Sequence, residues 1–134
     1  MGITNYTIVT LGSHSALQIL KGAKDEGFKT LVVCTSDRIP LYKSYKNFID
    51  EIIQIRSWKD FPKLEKQLIK KNSIIIPHGS FVAYLGMDEN KKMKNLYFGN
   101  KAVLDWEENR KMQRSWMEQA GIKVPHRFKK GDKI

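Results

Sequence analysis

A glycine followed by a serine and a histidine lies early in the chain, at Gly12, Ser13 and His14. Glycine lets a ligand approach the backbone closely, and the two side chains can donate hydrogen bonds to anionic oxygens. If a helix begins near Ser15, its free amide groups add donors that suit a phosphate. The alternative is that the serines only cap this helix and that His14 is a solvated turn residue. Taken alone, the segment leaves both interpretations open.

A second segment of the same kind occurs at His78, Gly79 and Ser80, directly after Pro77. By residue type, His78 could carry a proton or donate to a phosphate, but it could equally be a buried structural histidine. Two weaker candidates lie further along the chain, Asn100 after Gly99 and Arg110 on a predicted helix. Polar and basic residues on a surface helix are usually just solvated, so the last two add little by themselves.

Several familiar catalytic and binding patterns are absent from the sequence. It contains neither G-x-G-x-x-G nor G-x-x-x-x-G-K-[ST], which disfavours a Rossmann dinucleotide site and a P-loop. It also lacks the G-x-S-x-G elbow of the α/β-hydrolases and any Cys/His cluster with zinc spacing. We therefore expect no metal site in this chain, and the catalytic residues stay unknown.

The candidate segments follow short apolar runs that predict buried strands. Strands are expected at 6–11, 30–34, 51–55, 73–77 and 96–98, helices at 15–26, 61–71, 80–85 and 104–120, and loops at 35–46 and 87–95. Ser15 and Gln18 have capping-box spacing at the first helix. The alternation of strands and helices predicts a doubly wound α/β domain, a mostly parallel sheet flanked by helices. Ligands bind such sheets at the carboxyl ends of the strands, where the candidate segments fall.

The chain carries a formal net charge of +10, from 24 basic and 14 acidic residues. A nucleic acid, an anionic metabolite or simply a lysine-rich surface could each account for this charge. The lysines occur in scattered pairs without an arginine-rich arm, so nucleic acid is the least favoured of the three. One cysteine, Cys34, lies in a predicted strand, and we expect it to be buried. With no secretory signal and no apolar run of ~20 residues, we expect a cytoplasmic protein without a membrane span.

The two Gly/Ser/His segments and their surroundings resemble the PurP family. These are the archaeal-type 5-formaminoimidazole-4-carboxamide ribonucleotide (FAICAR) synthetases of the ATP-grasp superfamily. The similarity runs through residues 10–28, 76–84, 98–101, 106–107 and 118–125. The first two of these stretches are long and specific, whereas the last is similar to a segment found in many ATP-grasp enzymes.

The resemblance implies the amino-terminal, Rossmann-like domain of a ligase that joins formate to AICAR, with ATP and Mg²⁺, to give FAICAR in IMP biosynthesis. It implies a substrate-binding domain at residues 1–124 and the start of a linker at residues 125–134. The ATP and Mg²⁺ sites would lie in a following ATP-grasp body, so this chain alone would be inactive. The similarity to family members also makes a homo-oligomer plausible.

The resemblance also implies roles for individual residues. His14 and Ser80 match the family's AICAR contacts, and Gly12, Ser13 and Gly79 would line the same pocket; His78, Asn100 and Arg110 are further candidates. Three alternatives stay open: a related ATP-grasp ligase with another substrate, a stand-alone module that binds a phosphorylated metabolite, and a basic nucleic-acid-binding domain.

Overall fold

A computed structural model describes residues 5–128 of the 134-residue chain. Its centre is one five-stranded sheet in the order β3-β2-β1-β4-β5, in which every neighbouring pair is parallel. The strands are β1 (Thr7–Leu11), β2 (Lys29–Thr35), β3 (Glu51–Ile55), β4 (Ser73–Ile75) and β5 (Leu96–Tyr97). All five predicted strands are present, and the predicted parallel α/β architecture is confirmed.

Helices connect the strands and continue beyond the last one. They are α1 (Ala16–Asp25), α2 (Ile39–Lys43), α3 (Glu65–Lys70), α4 (Gly79–Leu85), α5 (Met87–Lys92), α6 (Lys101–Glu108) and α7 (Arg110–Gln119), with 3₁₀ segments at Ser36–Arg38 and Trp58–Leu64. Among the described residues, no helix is both long and apolar enough to cross a lipid bilayer. The chain divides into two compact units between Lys101 and Ala102. Of the predicted linker at residues 125–134, the last six positions lie outside the described residues.

The inner strands β1 and β2 are buried on both faces, as a doubly wound fold requires. Along β2, Leu31 and Val33 pack into one cluster with residues of α3 and α4, whereas Val32 and Cys34 pack into the other with residues of α1 and α2. Side chains alternate between the faces of a strand, which explains this division. Cys34 is fully buried, as predicted, and burial raises the pKa of its thiol to about 11.

Four local predictions are wrong. The two predicted loops contain short helices, α2 and α5, and the predicted long helix is divided into α6 and α7. Asn109 causes that break, because its backbone is extended and its side chain accepts from the amides of Lys111 and Met112. The predicted capping box is absent, since the Ser15 backbone (φ −103°, ψ 12°) is not extended and its side chain makes no capping hydrogen bond.

Asp50 provides a test of what holds the start of β2 in place. Its carboxylate accepts from the Thr30 amide (2.9 Å), the Thr30 hydroxyl (3.1 Å) and Lys24 Nζ (2.6 Å). Burial opposes its ionisation, but these hydrogen bonds outweigh burial and lower the pKa of Asp50. We expect Asp50→Ala to lower the free energy of unfolding by about 1–2 kcal/mol at pH 7 in urea titrations, mostly through the Thr30 hydrogen bonds.

The pH dependence of this effect has a definite sign. A lowered pKa stabilises the folded chain above the unfolded-state value of about 3.9, and the stabilisation is lost as the pH falls through the folded-state value. The difference in the free energy of unfolding between Asp50→Ala and the unchanged chain should therefore become smaller below about pH 4. Asp25→Ala is the matched control, because Asp25 pairs only with the exposed Lys21 and should change stability by less than about 0.5 kcal/mol. If Asp50→Ala and Asp25→Ala lowered the free energy of unfolding equally, the stabilising role assigned to the Asp50–Thr30 hydrogen bonds would be contradicted.

Candidate functional site

The strand order creates a crevice at one end of the sheet. From β1 the chain moves outward to β2 and β3, then crosses to the other side of β1 to form β4 and β5. The connection after β1 leads to one side of the sheet, and the connection after β4 leads to the other. The space between the carboxyl ends of these two strands is the switch point, where doubly wound sheets bind ligands. The turn after β1 holds Gly12, Ser13 and His14, and the turn after β4 leads to His78, Gly79 and Ser80. The structure thus brings the two predicted segments to the same crevice.

His78 links these two turns. Its Nδ1 accepts a hydrogen bond from the Ser80 amide at 3.3 Å and thereby caps α4. The ring proton therefore lies on Nε2, and Nε2 donates to the Leu11 carbonyl at 3.0 Å. Both ring nitrogens are therefore engaged within the protein. This arrangement favours the structural interpretation of His78 over a role in proton transfer.

Gly12 packs against the sheet more closely than any side chain would allow. A Cβ atom at this position would lie 2.6 Å from Cys34 Cβ and 2.7 Å from Tyr42 Cε2, both of which are buried. The sequence suggested that this glycine admits a ligand. The structure gives it a packing role, because the turn after β1 lies directly on β2 and α2.

Hydroxyl groups converge on the crevice from both turns. Ser13 is buried, and Ser80 is half-buried in the first turn of α4. Hydrogen bonding to Ser13 lowers the pKa of the Tyr84 phenol, and burial acts in the opposite direction. The charge of Arg38 and hydrogen bonds with Arg38 and Ser80 lower this pKa further. The side chains of Ser13, Arg38, Ser80 and Tyr84 therefore lie together, although they come from three different segments of the chain.

Arg38 and Trp58 complete this cluster. Arg38 ends the 3₁₀ segment after β2, and its Nη1 donates to the Gly12 carbonyl at 2.8 Å. The centre of its guanidinium lies 5.2 Å from the centre of the Trp58 ring. Trp58 in turn stacks on Tyr84, with ring centres 5.0 Å apart and planes 6° from parallel. The crevice thus has a fixed positive charge beside an aromatic pair.

The sequence analysis missed Arg38, Trp58 and Tyr84 as site residues. Tyr84 is four residues after Ser80, one helical turn away, and this spacing could have suggested that it faces the crevice. Arg38 and Trp58 follow the ends of β2 and β3, so the strand-end rule that selected the glycine turns also applies to them.

The other predicted residues have simpler surroundings. His14 is exposed at the crevice, one residue beyond Ser13, and Gly79 is the exposed first residue of α4. Asn100 is exposed after the end of β5, an edge strand beyond β4. Arg110 begins α7 in the second unit, where its Nη1 lies 3.4 Å from Gln113 Oε1. Contact of any of these with a ligand stays a prediction.

Lys101, the residue after Asn100, has a local partner. Its Nζ donates to the Met93 carbonyl at 2.6 Å and lies 4.8 Å from the centre of the Tyr97 ring. Burial lowers the pKa of Lys101, while the nearby Glu65 opposes this effect. The side chain thus ties the start of α6 to the segment before β5.

The acidic, histidine and cysteine side chains of residues 5–128 do not gather into any group of three or more that could hold a metal ion. The crevice offers hydrogen-bond donors, a fixed guanidinium and stacking surfaces. Such a set suits an anionic organic ligand.

Fold and crevice together define a doubly wound α/β domain with a candidate ligand site at the carboxyl ends of its central strands. The family model described as "protein of unknown function (DUF1246)" matches residues 8–128, and the chain belongs to this family. Curated relatives are named 5-formaminoimidazole-4-carboxamide-1-(beta)-D-ribofuranosyl 5′-monophosphate synthetase. That from Methanococcus aeolicus is 43% identical over 96% of this chain, and that from Thermococcus kodakarensis is 44% identical over 95%. The chain spans only 36% and 37% of their respective lengths.

Solved structures agree with this assignment. An IMP biosynthesis protein PurP from Thermococcus kodakaraensis matches with a TM-score of 0.80 and 37% identity, over 94% of this chain and 40% of that one. The predicted resemblance to the PurP family is therefore confirmed. An N5-carboxyaminoimidazole synthetase from Staphylococcus aureus, solved with ADP, shares the fold at a TM-score of 0.68 and 19% identity, over 90% of this chain and 31% of that one.

Proposed function

We propose that this chain is the AICAR-binding amino-terminal domain of a ligase that makes FAICAR in IMP biosynthesis. The observation that carries the proposal is the crevice between β1 and β4. There the two turns that resemble the PurP family's substrate-binding motifs lie next to each other, linked by the hydrogen bond from His78 to Leu11. Relatives of 42–44% identity that are named for FAICAR synthesis support the substrate.

Within this proposal, His14 and Ser80 donate hydrogen bonds to AICAR, and Gly12, Ser13 and Gly79 line its pocket. His14 is exposed and Ser80 half-buried, so both can reach a ligand without unfolding the turn. Asn100 is proposed as an outer contact, whereas a ligand contact of Arg110 is implied by the resemblance alone. The chemical steps with ATP, Mg²⁺ and formate belong to the part of the relatives' length that this chain does not span. We therefore assign no catalytic step to the residues described here, and we expect no ligase activity from this chain alone.

Three further features belong to the same proposal. Residues 1–124 would form the substrate-binding domain, and residues 125–134 the beginning of a linker to the ATP-binding part. The whole protein would act in the cytoplasm, where purine nucleotides are made. It would act as a homo-oligomer.

The direct test is calorimetric titration of the 134-residue chain with AICAR, using AMP and inorganic phosphate for comparison. We expect AICAR to bind more tightly than either of them. His14→Ala should weaken AICAR binding at least tenfold, about 1.4 kcal/mol, because a hydrogen bond to an anionic ligand is lost. The free energy of unfolding should stay unchanged in this variant, since His14 is exposed.

Other outcomes of this titration distinguish the alternatives. Equal affinity for AICAR and AMP would indicate a general module for phosphorylated metabolites. If AICAR does not bind, the same titration on a chain of the relatives' full length decides the question, because a further domain can close the pocket. Failure to bind there as well would mean that the ligase uses a different substrate. Unchanged affinity in a folded His14→Ala variant would remove His14 from the site.

A further inference from the structure

Arg38 is held in one position beside the crevice, which is unusual for a long side chain near the protein surface. Its Nη1 donates to the Gly12 carbonyl, its guanidinium lies over Trp58, and 34% of the side chain is exposed. Fixing such a side chain costs rotamer entropy. The contacts that offset this cost place the charge at the rim of the crevice instead of letting it extend into solvent.

The carboxylate paired with this charge, that of Asp37, is exposed and makes only a long contact. The Asp37 oxygen lies 3.8 Å from Arg38 Nε, which is too long for a hydrogen bond, and 72% of the Asp37 side chain is exposed. The guanidinium has five N–H donors, of which one is used for the Gly12 carbonyl and another for the hydrogen bond to Tyr84. Donors therefore remain for an anion at the crevice.

Neutral donors surround the same position. Hydrogen bonding to Ser13 and to Arg38 lowers the pKa of the Tyr84 phenol, and Arg38 also donates to the carbonyl of Gly12, the residue before Ser13. Tyr84 is held in turn by stacking on Trp58. A planar guanidinium with hydroxyl donors beside it is a common arrangement for binding a phosphate group.

We propose that Arg38, together with the hydroxyls of Ser13 and Tyr84, forms the subsite for the phosphate group of a phosphate monoester. The subsite rests on the proposed function, in which that monoester is the ribose 5-phosphate part of the substrate. It assigns to Arg38 the main charge contact with the ligand. His14 and Ser80 are then left to contact the remainder of the ligand.

Within residues 5–128, the groove that lysines line does not offer an equivalent place. A shallow groove on α3 is lined by Lys66, Gln67, Lys70 and Lys71, but α3 leads into the amino end of β4. This groove therefore lies towards the opposite end of the sheet from the crevice. Lys71 is also paired with Glu51 at 2.8 Å. Solvated lysines on one helix lack the fixed geometry that Arg38 has.

The experiment compares ligands that differ only in the phosphate. The 134-residue chain is titrated with AICAR, with the riboside that lacks the phosphate, and with ribose 5-phosphate. Arg38→Gln should weaken the binding of AICAR and ribose 5-phosphate at least tenfold, while the affinity for the riboside changes less than twofold. A merely structural role for Arg38 would reduce all three affinities together.

Further variants keep the test decisive if Arg38→Gln folds poorly. Arg38→Lys retains the charge but not the planar fork, so it should show a smaller loss for the two phosphate ligands only. Tyr84→Phe keeps the stacking on Trp58 but removes the hydroxyl, and should weaken phosphate binding a few-fold. Arg56→Gln is the matched control, since Arg56 is an exposed arginine just after β3 and should leave all affinities unchanged.

The results separate the subsite from the proposed function. If ribose 5-phosphate binds in an Arg38-dependent way and AICAR does not bind, the subsite stands and the proposed substrate fails. If AICAR binds and Arg38→Gln does not discriminate between AICAR and its riboside, the proposed function stands and the subsite is overturned. If neither phosphate ligand binds the 134-residue chain or a chain of the relatives' full length, the subsite is overturned.

Discussion

Gly12→Ala should lower the free energy of unfolding by about 3 kcal/mol, at the upper end of the usual cost of overpacking a core. The new Cβ would lie 2.6 Å from Cys34 Cβ and 2.7 Å from Tyr42 Cε2. Cys34 Cβ cannot move away, because its position is fixed by the backbone of β2, which is hydrogen-bonded to a neighbouring strand on each side. Tyr42 is 2% exposed and has little room to shift. Urea unfolding followed by circular dichroism measures the loss directly.

The matched control for Gly12→Ala is Gly22→Ala. Gly22 lies within α1, and an added Cβ there meets no atom within 4 Å. Alanine is the better helix former, so this variant should be more stable by about 0.5–1 kcal/mol. The two alanine substitutions should thus have opposite signs. A Gly12→Ala chain as stable as the unchanged chain would show that the turn after β1 can move off β2, against the packing described above.

His78→Ala should lower the free energy of unfolding by about 2 kcal/mol, because two hydrogen bonds are lost at once. The Ser80 amide loses its capping acceptor, and the Leu11 carbonyl loses a donor from the opposite turn. Affinity for AICAR should fall as well, since Ser80 and the turn after β1 would no longer be held together. Chemical unfolding and calorimetry on the same preparation measure the two effects.

His78→Asn separates the two hydrogen bonds. Asparagine is a good N-cap residue and can accept from the Ser80 amide, but its side chain is too short to replace the imidazole contact with Leu11. Its stability should therefore lie between that of the unchanged chain and that of His78→Ala. His14→Ala serves as the exposed-histidine control. If His78→Ala and His14→Ala unfold at the same urea concentration, the link between the two turns contributes nothing to stability.

The sheet could be predicted because each strand is a short apolar run that ends at a glycine or a polar residue. β1 and β3 occupy nearly the predicted positions for this reason. The short helices α2 and α5 could not be recognised, because five or six residues are too few to show helical periodicity. Pro40 in α2 also suggested a loop, although proline is well tolerated in the first turn of a helix.

The candidate site was predictable only in part. Glycine turns at strand ends are a local signal, so both turns were found. The contacts that shape the crevice join residues far apart in the chain. Arg38 and Gly12 are separated by 26 positions, and His78 and Leu11 by 67. No local pattern carries such information, because it arises only when the crossover places β4 beside β1.

The hydrogen bond from His78 to Leu11 also affects how much of the ligand's binding free energy is lost in ordering the pocket. Both turns of the crevice extend from strands that are hydrogen-bonded neighbours in the middle of the sheet. Their separation is therefore set by the spacing of the strands, about 4.8 Å, and not by fluctuating loops. A ligand that enters such a pocket does not have to order it first, so little affinity is lost to conformational entropy. Binding should then be fast and close to rigid-body docking.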